Sequence, residues 1–187
     1  ASYLLEITSK ILQQKEGNDY VLDLILDNAG SKGTGIWSTK AALDSGEANT
    51  MMSSAVFSRY ISSFKEKRVA LSKEATQNKS FQNNLELIEL EKAYRFARLI
   101  NHHQGFDLMV RALKEYNWNL NLSEIARIWT NGCIIRSQFM IDCISYFEDQ
   151  NELLTNSSIL NILNESEKTI SNVIQEGMAN RVSLDSF

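Results

Sequence analysis

The feature that most constrains the fold is one long stretch, residues 85–116, in which apolar side chains recur at steps of three and four residues. This spacing places them on one face of an α-helix, because the helix completes a turn every ~3.6 residues. The whole chain contains no proline, the residue that most often breaks helices. The sequence therefore predicts long uninterrupted helices, with residues 85–116 forming a central and buried one.

Helical spacing recurs along the rest of the chain. It predicts further helices at residues 2–14, 20–28, 38–45, 50–77, 133–147 and 157–177, and a short one that begins at 123. No segment shows the strict alternation that is typical of a half-buried strand, and there is no dinucleotide fingerprint of glycines after a strand. The predicted fold class is all-α, with residues 1–187 forming one multi-helix domain.

Charge and hydropathy exclude several classes of function. The formal net charge is −4 and the pI about 5.3, so we expect no nucleic acid and no anionic membrane as a partner. No run approaches the ~20 apolar residues that a membrane-spanning helix needs. An anionic substrate would therefore have to be bound by a local cluster of cations.

The residues that most often ligate metals are few. His102 and His103 are the two histidines of the chain, and adjacent helical side chains point roughly 100° apart, so they cannot both ligate one ion from a regular helix. Cys133 and Cys143, if on one helix, are about 15 Å apart, which excludes a disulfide between them. We expect structural histidines, reduced cysteines of the kind found in the cytoplasm, and no metal.

One glycine-rich segment, residues 29–37, stands out in a chain otherwise rich in helix formers; it reads AGSKGTGIW. Its glycines leave backbone N–H groups open, Lys32 supplies a cation and Thr34 a hydroxyl, a combination that suits a phosphate or another oxyanion. The spacing differs from the known phosphate-loop pattern. From the residues alone, an anion site and a simple helix connector both remain open. We expect Trp37 to anchor the segment on a core.

The glycine-rich segment closely resembles AGQKGTGKW in the all-helical domain of the 6-phosphogluconate dehydrogenase family. Further blocks resemble that family in the same order: residues 6–8 its FLIEIT opening, 55–59 its EAVFAR block, 104–106 its AQGF block, and 132–137 its GCIIRS block, which is identical. The resemblance extends over essentially the whole chain. It implies the all-helical C-terminal type of that family as the fold.

The resemblance implies that the full-length protein oxidatively decarboxylates 6-phosphogluconate to ribulose 5-phosphate in the pentose phosphate pathway, reducing NADP. The family's general base and general acid, a lysine and a glutamate, precede the block that Ala1 opens, as does the domain that binds the cofactor. We therefore expect no catalytic residue in this chain, which looks like a fragment that is inactive alone. A cytoplasmic homodimer is also implied.

Three residues match the family's phosphate ligands. Lys32 and Thr34 correspond to the lysine and threonine of KGTG, and Arg59 corresponds to the arginine of EAVFAR. A phosphate dianion favours more than one cation, and arginine can bind it through two N–H groups where lysine acts as a point charge. From the residues alone, Arg59 could equally be a surface arginine on an amphipathic helix.

The chain also departs from the family's pattern. Ile36 replaces the second lysine of KGTGKW, Ser31 replaces the usual glutamine, and Thr130 and Asn131 replace the Arg-Gly of WRGG. These departures leave two alternatives to the dehydrogenase open. One is a non-catalytic helical module for self-association, and the other is a divergent relative among the 3-hydroxyacid dehydrogenases.

Overall fold

A computed structural model describes residues 2–30, 32–75 and 83–187. In these ranges the helices are α1 (Tyr3–Gln13), α2 (Val21–Leu24), α3 (Thr34–Ser45), α4 (Thr50–Ser63), α5 (Lys65–Glu74), α6 (Leu87–Tyr116), α7 (Leu122–Trp129), α8 (Gln138–Tyr146) and α9 (Ser157–Ala179), with a 3₁₀ turn at Leu153–Thr155. The predicted all-α class is confirmed.

A very short hairpin interrupts the helices. Strands β1 (Lys15–Glu16) and β2 (Asp19–Tyr20) pair antiparallel, with Lys15 opposite Tyr20 and Glu16 opposite Asp19. The sequence pattern predicted no strand here, because two-residue strands are too short to show alternation. The Lys15 ammonium lies 4.4 Å from the centre of the Tyr20 ring and adds a cation–π contact across the pair.

The chain folds into two compact units. The first comprises residues 1–27 and 117–153, and the second comprises residues 28–116 and 154–187. The prediction that the whole chain acts as one domain stays a prediction.

In the first unit, α7 packs against α8. The fully buried side chains on these two helices are Leu122, Ala126, Met140 and Cys143. The Ser123 hydroxyl donates to the Ile144 carbonyl at 2.8 Å and joins the start of α7 to the end of α8. Asn121 caps α7 by accepting from the Glu124 N–H at 3.1 Å.

In the second unit, α6 packs most extensively against α9 and also contacts α3 and α4. Its buried residues are Ala93, Ala97, Leu99 and Phe106. On the partner helix α9, Ile159 and Val173 are buried. The prediction of a long helix with buried apolar positions over residues 85–116 is thus confirmed within two residues at its start.

Two predicted helices are shorter than the apolar spacing suggested. The helix predicted over 20–28 ends at Leu24, since Ile25 is extended at φ −82° and ψ 137° and both side chains are more than half exposed. The helix predicted over 133–147 begins at Gln138, because Ser137 is extended and its hydroxyl accepts from the Met140 N–H at 3.2 Å. Propensity alone does not sustain a helix that packing leaves uncovered.

The disulfide between Cys133 and Cys143 was excluded on the assumption that both lie on one helix, and that assumption is wrong. Cys133 precedes α8, whereas Cys143 lies buried within it, so the two do not share a helix. Neither cysteine forms a disulfide in this structure.

The helix predicted over 50–77 is broken at Phe64, where φ is −83° and ψ is 46°. The Arg68 guanidinium donates to the Ser62 carbonyl at 3.0 Å and satisfies an acceptor at the end of α4. The charged α5 that follows has no buried residue. The predicted end of this helix at 77 lies outside the described residues.

Candidate functional site

The glycine-rich segment leads directly into α3. Gly33 precedes the helix with φ +99°, a left-handed conformation that costs glycine little. The helix then begins at Thr34, four residues earlier than predicted, and the Trp37 N–H donates to the Gly33 carbonyl at 3.0 Å. Lys32 and Thr34 are both exposed. The first-turn N–H groups of α3 lie beside them, in the orientation that favours an anion at a helix N-terminus.

Helix α4 lies along the glycine-rich segment and holds it at two points. The Arg59 Nε–H donates to the Gly30 carbonyl at 3.1 Å, and the same guanidinium donates to that oxygen through a terminal nitrogen. The Ala29 N–H donates to the Ser62 hydroxyl at 3.1 Å. Positions 59 and 62 are three residues apart and therefore share one face of the helix.

Helix α6 fixes both helices that carry the candidate site. The Gln104 side chain accepts from the Met51 N–H at 3.0 Å and donates to the Thr50 hydroxyl at 2.9 Å, so it caps the start of α4 from outside. The Arg111 Nε–H donates to the Ser45 carbonyl at the end of α3 at 3.0 Å. Gln104 belongs to a block that resembles the family, but a capping role for it could not be predicted from spacing.

The structure therefore brings Arg59 to the segment that contains Lys32 and Thr34. The Arg59 guanidinium donates to the Gly30 carbonyl. This contact uses two of the five N–H donors of the guanidinium. Arg59 is an exposed arginine on α4, as the alternative from sequence alone supposed, and it also has a tertiary partner in Gly30. The assignment of all three residues as phosphate ligands stays a prediction.

The expectation that Trp37 anchors the segment on a core is wrong. Its side chain is 69% exposed. Because α3 begins at Thr34, Trp37 lies on a regular helix whose only buried residue is Ala42. The segment is instead held by polar contacts from α4. The presence of an aromatic residue in the sequence could not predict these contacts.

The two histidines have separate partners on α6. His103 Nε2 lies 3.2 Å from a carboxylate oxygen of Asp107, one turn away. His102 Nδ1–H donates to the Arg98 carbonyl at 2.7 Å. Burial lowers the pKa of His102, the hydrogen bond to that carbonyl opposes this effect, and the Arg98 charge lowers the pKa further. His102 is thus held neutral in the fold, in line with a structural role.

The lowered pKa makes stability depend on pH. The unfolded chain regains the ordinary pKa of about 6.5 and takes up the proton first as the pH falls. The stability that the neutral ring contributes is therefore full above about pH 6.5 and is lost as the pH falls toward the lowered pKa. We expect the melting temperature to drop between about pH 7.5 and 5.5, and to drop less in His102→Gln. Calorimetry at both values measures this.

Titration of the Glu89 carboxylate does not affect that comparison. Hydrogen bonds from the Glu86 N–H and from Asn172 lower the pKa of Glu89 from its ordinary 4.5, so it titrates below the window. Equal losses of melting temperature in the native protein and in His102→Gln would show that another group causes the pH dependence.

Among the residues that the structure describes, no helix combines the length and the apolar character needed to cross a membrane.

Comparisons with a family model, with curated proteins and with solved structures all point to one family. The family model described as "6-phosphogluconate dehydrogenase, C-terminal domain" matches residues 1–187.

Several curated relatives are named "6-phosphogluconate dehydrogenase, decarboxylating". The protein from Shigella boydii is 36% identical over 194 aligned residues, which cover 100% of this chain and 44% of the relative. The protein from Lactococcus lactis subsp. lactis (strain IL1403) is 34% identical, with 100% and 41% covered. The chain thus spans less than half the length of the relatives it matches.

A solved structure shows the same fold. It is the Plasmodium falciparum 6-phosphogluconate dehydrogenase, described in its apo form and in complexes with NADP+ and with its substrate 6-phosphogluconate. The TM-score is 0.91 at 33% sequence identity, and the match covers 99% of this chain and 42% of the other. The chain therefore belongs to the 6-phosphogluconate dehydrogenase family and corresponds along its whole length to that family's C-terminal domain.

Proposed function

We propose that this chain is the substrate-binding domain of an NADP-dependent enzyme that oxidatively decarboxylates 6-phosphogluconate to ribulose 5-phosphate. The observation that carries the proposal is the contact between Arg59 of α4 and Gly30. It brings a guanidinium to the segment in which Lys32 and Thr34 occur, and so unites residues that are far apart in the sequence.

The proposed role of the domain is to bind the substrate phosphate. Lys32 offers an ammonium, Thr34 a hydroxyl at the first position of α3, and Arg59 the N–H groups that Gly30 does not use. Such charge-assisted hydrogen bonds are each worth about 1.5–3 kcal/mol. A protein with net charge −4 attracts an anion through a local group of this kind rather than through its overall field.

The reaction itself requires residues outside this chain. The relatives are more than twice as long as the matched region, and the resemblance assigns the lysine base, the glutamate acid and most contacts to NADP to the preceding part. We therefore propose no catalytic residue and no metal here, and we expect the isolated chain to reduce no NADP. We also propose a cytoplasmic location, the kind of compartment in which cysteines such as Cys133 and Cys143 stay reduced.

The test is a reduction assay on the full-length protein with 6-phosphogluconate, using NADP and NAD in parallel. Gluconate, which lacks the phosphate, is the control substrate. We expect turnover with 6-phosphogluconate and NADP, and a much higher KM for gluconate. A folded protein that reduces neither NADP nor NAD would contradict the proposed enzyme activity. Equal KM values for 6-phosphogluconate and gluconate would contradict only the proposed phosphate site.

We also propose that two copies of the chain associate. Phe57 and Ile61 are 59% and 58% exposed and lie one turn apart on α4, and Phe64, which is 59% exposed, follows the last residue of that helix. An apolar stripe of this kind can pair with itself across a two-fold axis. We expect a dimer by sedimentation equilibrium and a helical monomer for Ile61→Asp. A monomeric native protein at micromolar concentration would contradict the proposal.

A further inference from the structure

Gly35, the last glycine of the glycine-rich segment, has a helical backbone conformation that does not require a glycine. It is the second residue of α3, and its φ is not in the left-handed region, in contrast to Gly33 before it. A glycine at a helical position costs stability relative to alanine. Its presence there calls for a different explanation, such as the close approach of another part of the chain.

The close approach comes from Val56 of α4. A methyl group built on Gly35 would lie 2.6 Å from Val56 Cγ2, far inside van der Waals contact. Val56 is 8% exposed, and a β-branched side chain in a helix has one strongly preferred rotamer. The valine therefore cannot turn away cheaply, and an added methyl group would push the two helices apart.

Further contacts tie Gly35 to α4. The Gly35 carbonyl accepts from the hydroxyls of Ser38 and Thr39 at 3.0 and 2.9 Å, and Thr39 in turn accepts from the Ser53 hydroxyl at 3.3 Å. The first turn of α3 is thereby fixed to the start of α4. Any shift of Gly35 is passed on through these bonds to the neighbouring residues.

The same face of α4 contacts the segment from one end to the other. Val56 touches the segment at Gly35, Arg59 binds Gly30, and Ser62 binds Ala29. These positions on α4 follow one another at three-residue steps, so each one is a neighbour of the next on the helix surface. The distance between Gly35 and Val56 therefore determines how Thr34, the neighbour of Gly35, is placed relative to Arg59.

We propose that Gly35 is a positioning residue, whose missing side chain lets α3 pack on Val56 and so sets Thr34 and Lys32 beside Arg59 to receive the sugar phosphate. The inference rests on the proposed function, because the ligand is the phosphate named there. Gly35 itself makes no contact with the substrate in this proposal.

The test is a cycle of variants in the full-length enzyme. Gly35→Ala is expected to raise the KM for 6-phosphogluconate about 10- to 100-fold, since a displacement of about 1 Å can have effects of that size, while kcat changes little. Val56→Ala removes Cγ2 and is expected to restore the KM of Gly35→Ala to within about threefold of the native value. A general loss of folding would not be rescued in KM by removing the two γ-methyl groups of a neighbour.

Gly105→Ala on α6 is the matched control, because a methyl group there meets no atom within 4 Å. It should leave the KM unchanged. A native KM in Gly35→Ala, or an equally raised KM in the double variant, would overturn the inference. If the native enzyme does not turn over 6-phosphogluconate, the proposed function fails, and the melting temperatures of the same variants still test the packing contact. Rescue of Gly35→Ala by Val56→Ala then supports the contact, and no rescue refutes it.

Discussion

Replacing Arg59 by alanine is expected to raise the KM of the full-length enzyme for 6-phosphogluconate by about 10- to 150-fold. The range corresponds to one charge-assisted interaction of about 1.5–3 kcal/mol. The effect should appear mainly in KM, because a phosphate remote from the reacting carbons is bound alike in the ground state and the transition state. Initial-rate kinetics with saturating NADP measure both parameters.

The observed contact with Gly30 requires a control for this variant, because losing it could disorder the glycine-rich segment. Gluconate provides that control: removal of a phosphate ligand leaves the KM for gluconate unchanged, whereas a disordered site raises both. Arg59→Lys keeps the charge but not the paired N–H groups, so an intermediate KM is expected. Arg95→Ala, an exposed arginine on α6, is the matched surface variant. An unchanged KM for 6-phosphogluconate in Arg59→Ala would remove Arg59 from the site.

Leu99→Ala is expected to destabilise the protein by about 2–5 kcal/mol, which lowers the melting temperature by roughly 4–20 °C. Leu99 is 1% exposed on α6, the helix that contacts α3, α4 and α9. Removing its branched end deletes buried apolar contacts and leaves a cavity that the neighbouring helices cannot fully close. Thermal and urea denaturation measure the loss.

The matched control is Leu87→Ala, the same substitution on the same helix at a side chain that is 81% exposed. The intrinsic helix propensities of leucine and alanine differ by only a few tenths of a kcal/mol at most, so the difference between the two variants reports mainly burial. We expect Leu87→Ala to stay within about 0.5 kcal/mol of the native protein. Similar losses for the two variants would mean that α6 is not stabilised through Leu99.

The boundaries of the elements show where sequence reasoning is weakest. Helix α6 was predicted because a long periodic pattern leaves little choice of structure. The break at Phe64 and the start of α8 at Gln138 were not predicted, since each depends on a single backbone turn with a local hydrogen bond. Such turns require the geometry of a particular residue and leave no periodic signal.

For the candidate site as well, some features could be predicted from the sequence and others only from the tertiary structure. Sequence alone identified the glycine-rich segment with its Lys32 and Thr34 as a candidate site, and the resemblance added Arg59 and the family. The comparison with known proteins confirmed the family. The sequence by itself also determined the helical class, because spacing and the lack of proline act locally along the chain. Only the tertiary structure joined Arg59 to Gly30, Gln104 to the start of α4, and Gly35 to Val56. Those contacts connect residues from different helices, and no local pattern encodes how two helices pack.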